Sequence, residues 1–470
     1  MNSHLQVLKP LVLAAVFVSL LGGCASTSVF RSYPSQAKLI KEQIETKQFA
    51  LASEKLDKRR GSADKILYLL ERGRTVQIAN DNDASIEDYQ QAKDAISALE
   101  QKAVISAKDT ATKTAALFAN DNAIPYTSEP YERIFLYQFQ AMNYLFSGDL
   151  DGALVEVRRA NEEQQLAFHK HEKAIIKSQE KNKGVLDENK SFMDAFKDFA
   201  DIANRVENSY QNAYTFYASG VIWEIEGKPN DAYIDYKKAL EIFPDNTYLQ
   251  KDVVRLAKLL AMKSDLARFR KQFKTKNTKP VKKGGELIVF FEHGFVPAKQ
   301  EVKVPLVTHY GVSSVAFPSY APTWNLTPPL LIRDTSNNTL MGSTNPIVYV
   351  QALAAQALRE DLPGIMVRQV LRVVAKKESA DQVEKNLGTG GAVATAIFNY
   401  ATERADLRSW LTLPNDAQIY RNTLAKGEYD LKLTNGLASD SVSIKIVPGK
   451  KTLLRVISTG GTMHTNVIVL

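Results

Sequence analysis

The sequence predicts an α+β multidomain chain: an all-α N-terminal solenoid of helix pairs, followed by a β-rich domain with a helical insertion. Three observations predict it. From Gln36 to about Phe273 apolar residues recur at helical spacing, whereas beyond Gly285 they alternate as in strands. A helix-pair pattern recurs in the first half with the same internal spacing. Between the halves, Lys274–Gly285 holds five lysines, one proline and two glycines, the composition of a linker. At 470 residues the chain is too long for one compact core, so two or three domains are expected. The expected boundaries are 1–23, 24–35, 36–273, 274–285 and 286–470.

The clearest helix pair spans Phe216 to Pro244. Phe216, Gly220 and Trp223 share one helix face at i, i+4 and i+7. Gly227 suits a left-handed helix end, Pro229 suits the opening of the next helix, and Pro244 stops it. Ala232, Tyr236 and Ala239 repeat the spacing, so small residues at Gly220, Ala232 and Ala239 let the two helices approach. This pattern resembles a tetratricopeptide (TPR) repeat, whose unit is about 34 residues. A second copy has Tyr137, Ala141 and Tyr144, a turn at Gly148-Asp149, then Ala153, Val157 and Ala160. Two weaker hairpins, Lys38–Arg59 and Asp64–Ala98, place Ala52 and Ser85 at equivalent positions 33 residues apart, and a further Ala-rich helix is expected over 99–123. The charged segment 162–212 exceeds a repeat and reads as a projecting helical hairpin with Lys183-Gly184 at its tip. Asn246 to about Phe273 reads as a single capping helix.

At the amino terminus a thin n-region with Lys9 precedes an apolar run, Leu11–Leu21, that ends in Leu21-Gly22-Gly23-Cys24. This resembles a bacterial lipoprotein signal peptide with its lipobox. The resemblance implies cleavage before Cys24 and acylation of that cysteine, a stable anchor because more than one chain is attached. Ala25, where an Asp holds proteobacterial lipoproteins in the inner membrane, implies an outer-membrane position facing the periplasm. Cys24 is the one cysteine of the chain, so the remainder forms no disulfide. The alternative is an ordinary secretory signal with a chance cysteine.

In the second half, Glu286–His293, Gln300–Thr308 and Ser313–Ser319 read as strands, and Asn337-Asn338 as a hairpin turn. Helices are expected within 346–403, over Pro346–Glu360, Leu362–Lys377 and Val393–Glu403, the last opened by Gly388–Gly391. Strands return at Trp410–Leu413, Asp416–Leu424, Glu428–Thr434, Ser441–Val447, Lys451–Ser458 and Asn466–Leu470, with turns at Lys426-Gly427 and Pro448-Gly449. The last four-strand run resembles small β-sandwich modules. The order lipobox, TPR-like helices, Phe290-Phe291-Glu292-His293-Gly294, then Asp406-Leu407-Arg408-Ser409-Trp410-Leu411-Thr412-Leu413-Pro414 resembles a family of uncharacterised TPR-containing outer-membrane lipoproteins. Its members are often encoded near a lipoprotein activator of penicillin-binding proteins. The resemblance implies an architecture and no defined activity.

The net charge of +8 is local: Lys251–Lys283 carries twelve Lys or Arg against two Asp, leaving about −2 elsewhere. That segment is either a solvated helix and linker or a contact for anionic headgroups, lipopolysaccharide or an acidic partner. Few aromatics accompany it, so nucleic acid is not expected. No metal-ligand spacing, phosphate loop or nucleophile motif stands out, and no cofactor or enzymatic role is expected. Glu292-His293 is the single candidate acid/base pair, and a structural turn is the preferred reading. His169, His171, His309 and His464 read as surface or core residues. Helical geometry puts Phe135, Gln138, Met142 and Leu145 of one repeat, and Tyr214, Tyr217, Val221 and Glu224 of the other, on the concave face. These form an expected partner-binding groove, although Tyr214 and Tyr217 suit packing on the neighbouring insert equally well. The expected role is a lipid-anchored scaffold or adaptor binding another cell-envelope protein, with cell-wall synthesis as the candidate process. The alternatives are an assembly or pilotin-like factor for a secretion, surface-appendage or polysaccharide-export apparatus, and an envelope hydrolase using Glu292-His293.

Overall fold

Left-handed residues punctuate the helical half. The structure, a computed structural model, describes residues 32–106, 121–188, 192, 196–274, 284–308, 310–402 and 404–470. In it α1 (Tyr33–Glu45) pairs with α2 (Phe49–Asp57), α3 (Lys65–Ile78) with α4 (Asn82–Ser106), and α5 (Pro130–Phe146) with α6 (Leu150–Glu188). After the short α7 (Lys197–Ala203) come α8 (Ala213–Ile225) with α9 (Pro229–Ile242), and α10 (Thr247–Leu259) with α11 (Lys263–Phe273). The turns between partners hold Lys47, Asn80, Gly148, Gly227 and Ala261, all at positive φ of 55–83°. In each, the next residue's N–H donates to the carbonyl five residues back, as in Lys228 to Trp223 at 2.9 Å and Asp149 to Tyr144 at 2.8 Å. This is one helix-ending cap used five times. Within a pair, small residues admit aromatic ones: a Cβ on Gly220 would lie 2.4 Å from Tyr236, and one on Gly73 would lie 2.5 Å from Tyr89.

Three expectations change here. Segment 246–273 is two helices, because Ala261 takes the left-handed cap that the other turns give to Gly, Asn or Lys. Helix α6 runs unbroken through Lys183-Gly184, since one glycine among strong helix formers costs only about 1 kcal/mol. The expected helix over 99–123 begins as the end of α4, has a short 3₁₀ turn at Asp121–Ala123, and otherwise falls outside the described residues.

The second half has strands β1 (Gly284–His293), β2 (Gln300–Thr308), β3 (Gly311–Ser319), β4 (Leu331–Asp334), β5 (Thr339–Ser343) and β6 (Asn345–Tyr349). Helix α12 (Val350–Thr402) follows, then β7 (Asp416–Ala425), β8 (Gly427–Asn435), β9 (Ala438–Ile446), β10 (Lys451–Thr459) and β11 (Thr462–Val469). One sheet runs β11-β10-β1-β7-β6, a second β5-β4-β8-β9, and β2 pairs with β3. Strand β1 is parallel to β10 and antiparallel to β7. Its core, Leu287 to Phe291, is a continuous apolar run because both faces are covered. Leu287, Val289 and Phe291 face the four-stranded sheet, with Ile332, Leu431, Leu433 and Ile444, while Ile288 and Phe290 join the core of the helical half. The layers are therefore helices, five-stranded sheet, four-stranded sheet.

Asn337-Asn338 makes the expected β4–β5 hairpin, with Asn338 at φ 53°. The turns at Lys426-Gly427 and Pro448-Gly449 do not make hairpins; each carries the chain from one sheet to the other. Of the helices expected within 346–403, the opening stretch 346–349 is instead part of strand β6, and from Val350 to Thr402 the three are one, α12, which passes through Pro363 and through Gly388–Gly391. Trp410–Leu413 is not a strand, because the N–H groups of Trp410, Leu411 and Thr412 are taken by carboxylate side chains instead of a neighbouring strand. The molecule is thus a mixed α+β protein, helical first and sheet-rich second. Among the described residues no helix is long and apolar enough to cross a membrane.

Candidate functional site

The concave residues expected to meet a partner are all buried, and Tyr214, Tyr217 and Glu224 meet this chain's own second half. Phe135, Gln138, Met142, Tyr214, Tyr217 and Val221 have at most 2% exposure, and the Glu224 side chain has 7%. Phe290 of β1 inserts beside Tyr214 and Tyr217, with ring centroids 6.0 and 6.2 Å away. Thr215 donates to Gln138, tying α8 to α5. The reading of these residues as an open groove is therefore corrected: the apolar strand β1 covers the surface that the isolated repeats would expose. Leu145, the eighth concave position, is equally buried. Tyr214 and Tyr217 have the Phe290 ring of the sheet as a neighbour.

Charge fixes the register of that contact. Glu224 accepts from Arg255 (2.7 and 2.9 Å), from Arg421 on β7 (2.9 and 3.2 Å), and from the Tyr236 hydroxyl at 2.7 Å. Arg421 also meets Glu286 at 2.7 Å and Asp252 at 3.3 Å, and Tyr217 donates to Asp252 at 3.0 Å. Burial alone would raise Glu224, but the Arg421 and Arg255 guanidiniums outweigh it and hold the carboxyl well below its usual range. A second cluster centres on Glu292, which accepts from Arg74 of α3 and from the Tyr214 hydroxyl at 2.9 Å. Arg455 of β10 lies in the same buried group, its pKa pushed down to about 10 by burial, against the pull of Glu292 and with the push of Arg74.

The third contact is the segment Arg404–Asn415, which lies across the N-terminal helices. Glu71 accepts the N–H of Leu411 (2.7 Å) and of Thr412 (3.0 Å), and Glu132 accepts that of Trp410 (2.7 Å). Arg408 donates to Asp64 at 2.5 Å, to Asp406, and to the carbonyls of Ile124 and Asp121. The Trp410 indole is fully buried between Tyr89 and Phe139. Sequence reasoning singled out this motif but not its role; buried-position Glu71 and Glu132 gave no signal, because an isolated Glu in a helix reads as surface.

Glu292 and His293 do not act as a pair. They alternate across β1, and Glu292 accepts from Arg74 and Tyr214 of the helical half. His293 instead faces Asp416, its cross-strand neighbour on β7. The Thr327 hydroxyl bridges them, 3.0 Å from His293 Nδ1 and donating to Asp416. Asn415 and Gln418 donate to the same Asp416 carboxylate, at 3.1 and 3.2 Å. Burial lowers the His293 pKa, with Asp416 opposing. His464 packs edge-on against Phe49, while His309 lies outside the described residues. Cys24 and residues 275–283 of the basic segment lie outside them too. Of that segment, Lys251, Lys258, Lys263, Arg268, Arg270 and Lys271 are exposed on α10 and α11, whereas Arg255 is drawn into the Glu224 cluster. Among the described residues no group of three or more His, Cys, Asp or Glu is placed to hold a metal ion.

An open cavity of about 570 Å³ lies where α6, the 204–212 loop, the end of α9 and β6 meet. Sequence reasoning missed it, because its walls come from four separate stretches. Phe168, Phe216, Phe243 and Tyr349 supply ring surfaces, and Arg205 and Lys238 supply cations. Tyr349 packs against Phe243 and against Trp324, over which Arg205 lies at 4.0 Å. Gln164, 4% exposed, lines the floor; its Oε1 accepts the Asn212 N–H at 2.9 Å, and its Nε2 has no partner.

No protein-family model matches this chain, and no curated protein matches it in sequence.

Proposed function

We propose that this chain is a lipid-anchored, periplasm-facing adaptor of the outer membrane, a binding protein and not an enzyme, whose TPR-like helical half is locked to its β-rich half as one presenting body. The partner is another cell-envelope protein, in a process such as cell-wall synthesis, and the exposed cations of α10 and α11 contact anionic headgroups. The observation that carries the reading is the use of the buried charges. Glu71, Glu132, Glu224 and Glu292 hold the two halves together and face no open site, as in a scaffold that must stay rigid. The lipobox at Leu21–Cys24 supports the anchor. With the concave face closed, the partner must meet the outer helices.

In-cell photocrosslinking tests this. A photoreactive residue at Ile234, exposed on α9, should yield one discrete envelope-protein adduct, lost in Cys24→Ser, while one at buried Tyr217 should yield none. Adducts at Tyr217, or none at Ile234 and at exposed Val155 of α6, would remove the adaptor reading.

A further inference from the structure

We infer that the turn between α10 and α11 inserts into the surface of an anionic phospholipid bilayer. Five helix pairs of this chain close on the same left-handed cap, and four of the five turns carry polar residues there: Thr46-Lys47-Gln48, Ala79-Asn80-Asp81, Ser147-Gly148-Asp149 and Glu226-Gly227-Lys228. The fifth is Leu260-Ala261-Met262. With Leu259 it makes an apolar apex, and Leu259 is 65% and Met262 40% exposed. Local folding does not ask for these residues. Alanine resists the left-handed conformation that Ala261 holds at φ 55° and that Gly148 and Gly227 adopt freely. Met262 stands at the N-cap of α11, where its side chain caps none of the free N–H groups. At the matching position Asp81 accepts from the Ala84 N–H at 3.1 Å, and Asp149 from that of Gly152 at 2.8 Å. The apex thus forgoes two helix-end stabilisations and presents apolar side chains outward, a combination that contact with hydrocarbon explains.

Charge selects the kind of surface. Lys258 and Lys263 flank the apex, and Lys251 and Arg270 lie seven residues further back, each on the same face of its helix. All four are exposed. Both acidic residues of the helix pair are already engaged: Asp252 is buried with Tyr217, Arg255 and Arg421, and Asp265 accepts from Tyr233, Lys237 and Arg268. An aliphatic apex between lysines fits a bilayer better than a protein partner. Lysine is depleted from protein interfaces, which aromatic residues and arginine anchor. Beside hydrocarbon, its long stem lets the ammonium reach the headgroup phosphates. The turn also stands clear of the sheets. Helix α10 is fixed at its other end, where Asn246 Nδ2 donates to the carbonyls of Asn345 and Pro346 at 3.2 and 2.8 Å, and its 13 residues carry the apex about 20 Å from that contact. This insertion rests on the headgroup contact proposed for α10 and α11, and needs neither the acyl anchor nor the protein partner.

Site-directed fluorescence tests it. The full chain with Cys24→Ser and Leu259→Cys has a single thiol, which takes a nitrobenzoxadiazole label. With vesicles of phosphatidylglycerol and phosphatidylcholine, the label should shift to the blue and be quenched by acyl-chain nitroxide lipids. Vesicles of phosphatidylcholine alone should leave it in water, and a label at Glu226→Cys in the α8–α9 turn should stay in water with both. Lys258→Gln with Lys263→Gln should raise the phosphatidylglycerol needed for half-quenching about thirtyfold, since one lysine at an anionic surface is worth about 1 kcal/mol, or about fivefold. Met262→Asp supplies the capping residue that Asp81 and Asp149 supply elsewhere, so its urea midpoint should not fall, yet the label at 259 should stay in water. An unquenched label at 259, equal quenching in phosphatidylcholine or at 226, or quenching unmoved by Met262→Asp overturns the inference. The label reports only its own position, so its failure leaves the photocrosslinking test of the adaptor reading untouched.

Discussion

Gly220→Ala measures directly how closely α8 and α9 approach. The new Cβ would lie 2.4 Å from Tyr236 Cε1 and 2.6 Å from Cδ1. Tyr236 has no room to retreat: it is fully buried, donates to Glu224 at 2.7 Å, and accepts from Arg421 at 3.0 Å. Two effects compete. Alanine in a helix interior is favoured over glycine by about 0.5–1 kcal/mol. Overpacking costs about 1–3 kcal/mol, and a displaced Tyr236 hydroxyl loses a charged hydrogen bond worth about 1.5–3 kcal/mol. The clash wins, so a net loss of about 2–4 kcal/mol is expected. Gly364→Ala is the control, since in α12 its Cβ would find nothing nearer than the flexible end of Arg368 at 3.6 Å, and it should gain about 0.5–1 kcal/mol. Urea unfolding followed by circular dichroism reads both as midpoint shifts at constant slope. A Gly220→Ala midpoint at or above the wild-type value would refute the close helix contact.

Other perturbations probe the join between the halves. Glu292→Gln leaves the Arg74 and Arg455 guanidiniums buried without their counter-charge and should cost about 3–5 kcal/mol in the same assay. Trp410→Ala removes a fully buried indole and should cost about 3–5 kcal/mol, with new protease cleavage within Arg404–Asn415. Burial, aided by Lys47, depresses His464 from 6.5 to about 4, so the folded chain favours the neutral imidazole. Its contribution is therefore complete above pH 6.5 and is lost as pH falls toward 4. His464→Gln should flatten that part of the stability–pH curve, and a His464 NMR titration midpoint near 6.5 would contradict it. Metabolic labelling with radioactive palmitate should mark the wild-type chain and leave Cys24→Ser unmarked.

What the sequence made legible were features with local causes. The change of hydrophobic period at Gly285, the Asn337-Asn338 turn, and the Gly148 and Gly227 helix ends each follow from residues a few positions apart. Gly220 beside Tyr236 was legible for the same reason. Features set by distant parts of the chain were hidden. Leu287–Phe291 reads as a strand, yet nothing in it tells that one face meets helices and the other a second sheet. Tyr214 and Tyr217 look like exposed groove aromatics because their cover, Phe290, lies more than seventy residues away. Ala261 gave no sign of a turn, since alanine seldom takes a left-handed conformation. The open cavity joins residues from 164 to 353 and has no linear signature.

The backbone N–H groups of Trp410, Leu411 and Thr412 offer the sharpest measurement. They belong to no helix or strand, and their acceptors are the Glu132 and Glu71 carboxylates of the other half. Native-state hydrogen exchange should find these three amides protected nearly as strongly as the core of β1. Exchange at the rate of an open loop would mean that the β-rich half does not close the inner face of the helices.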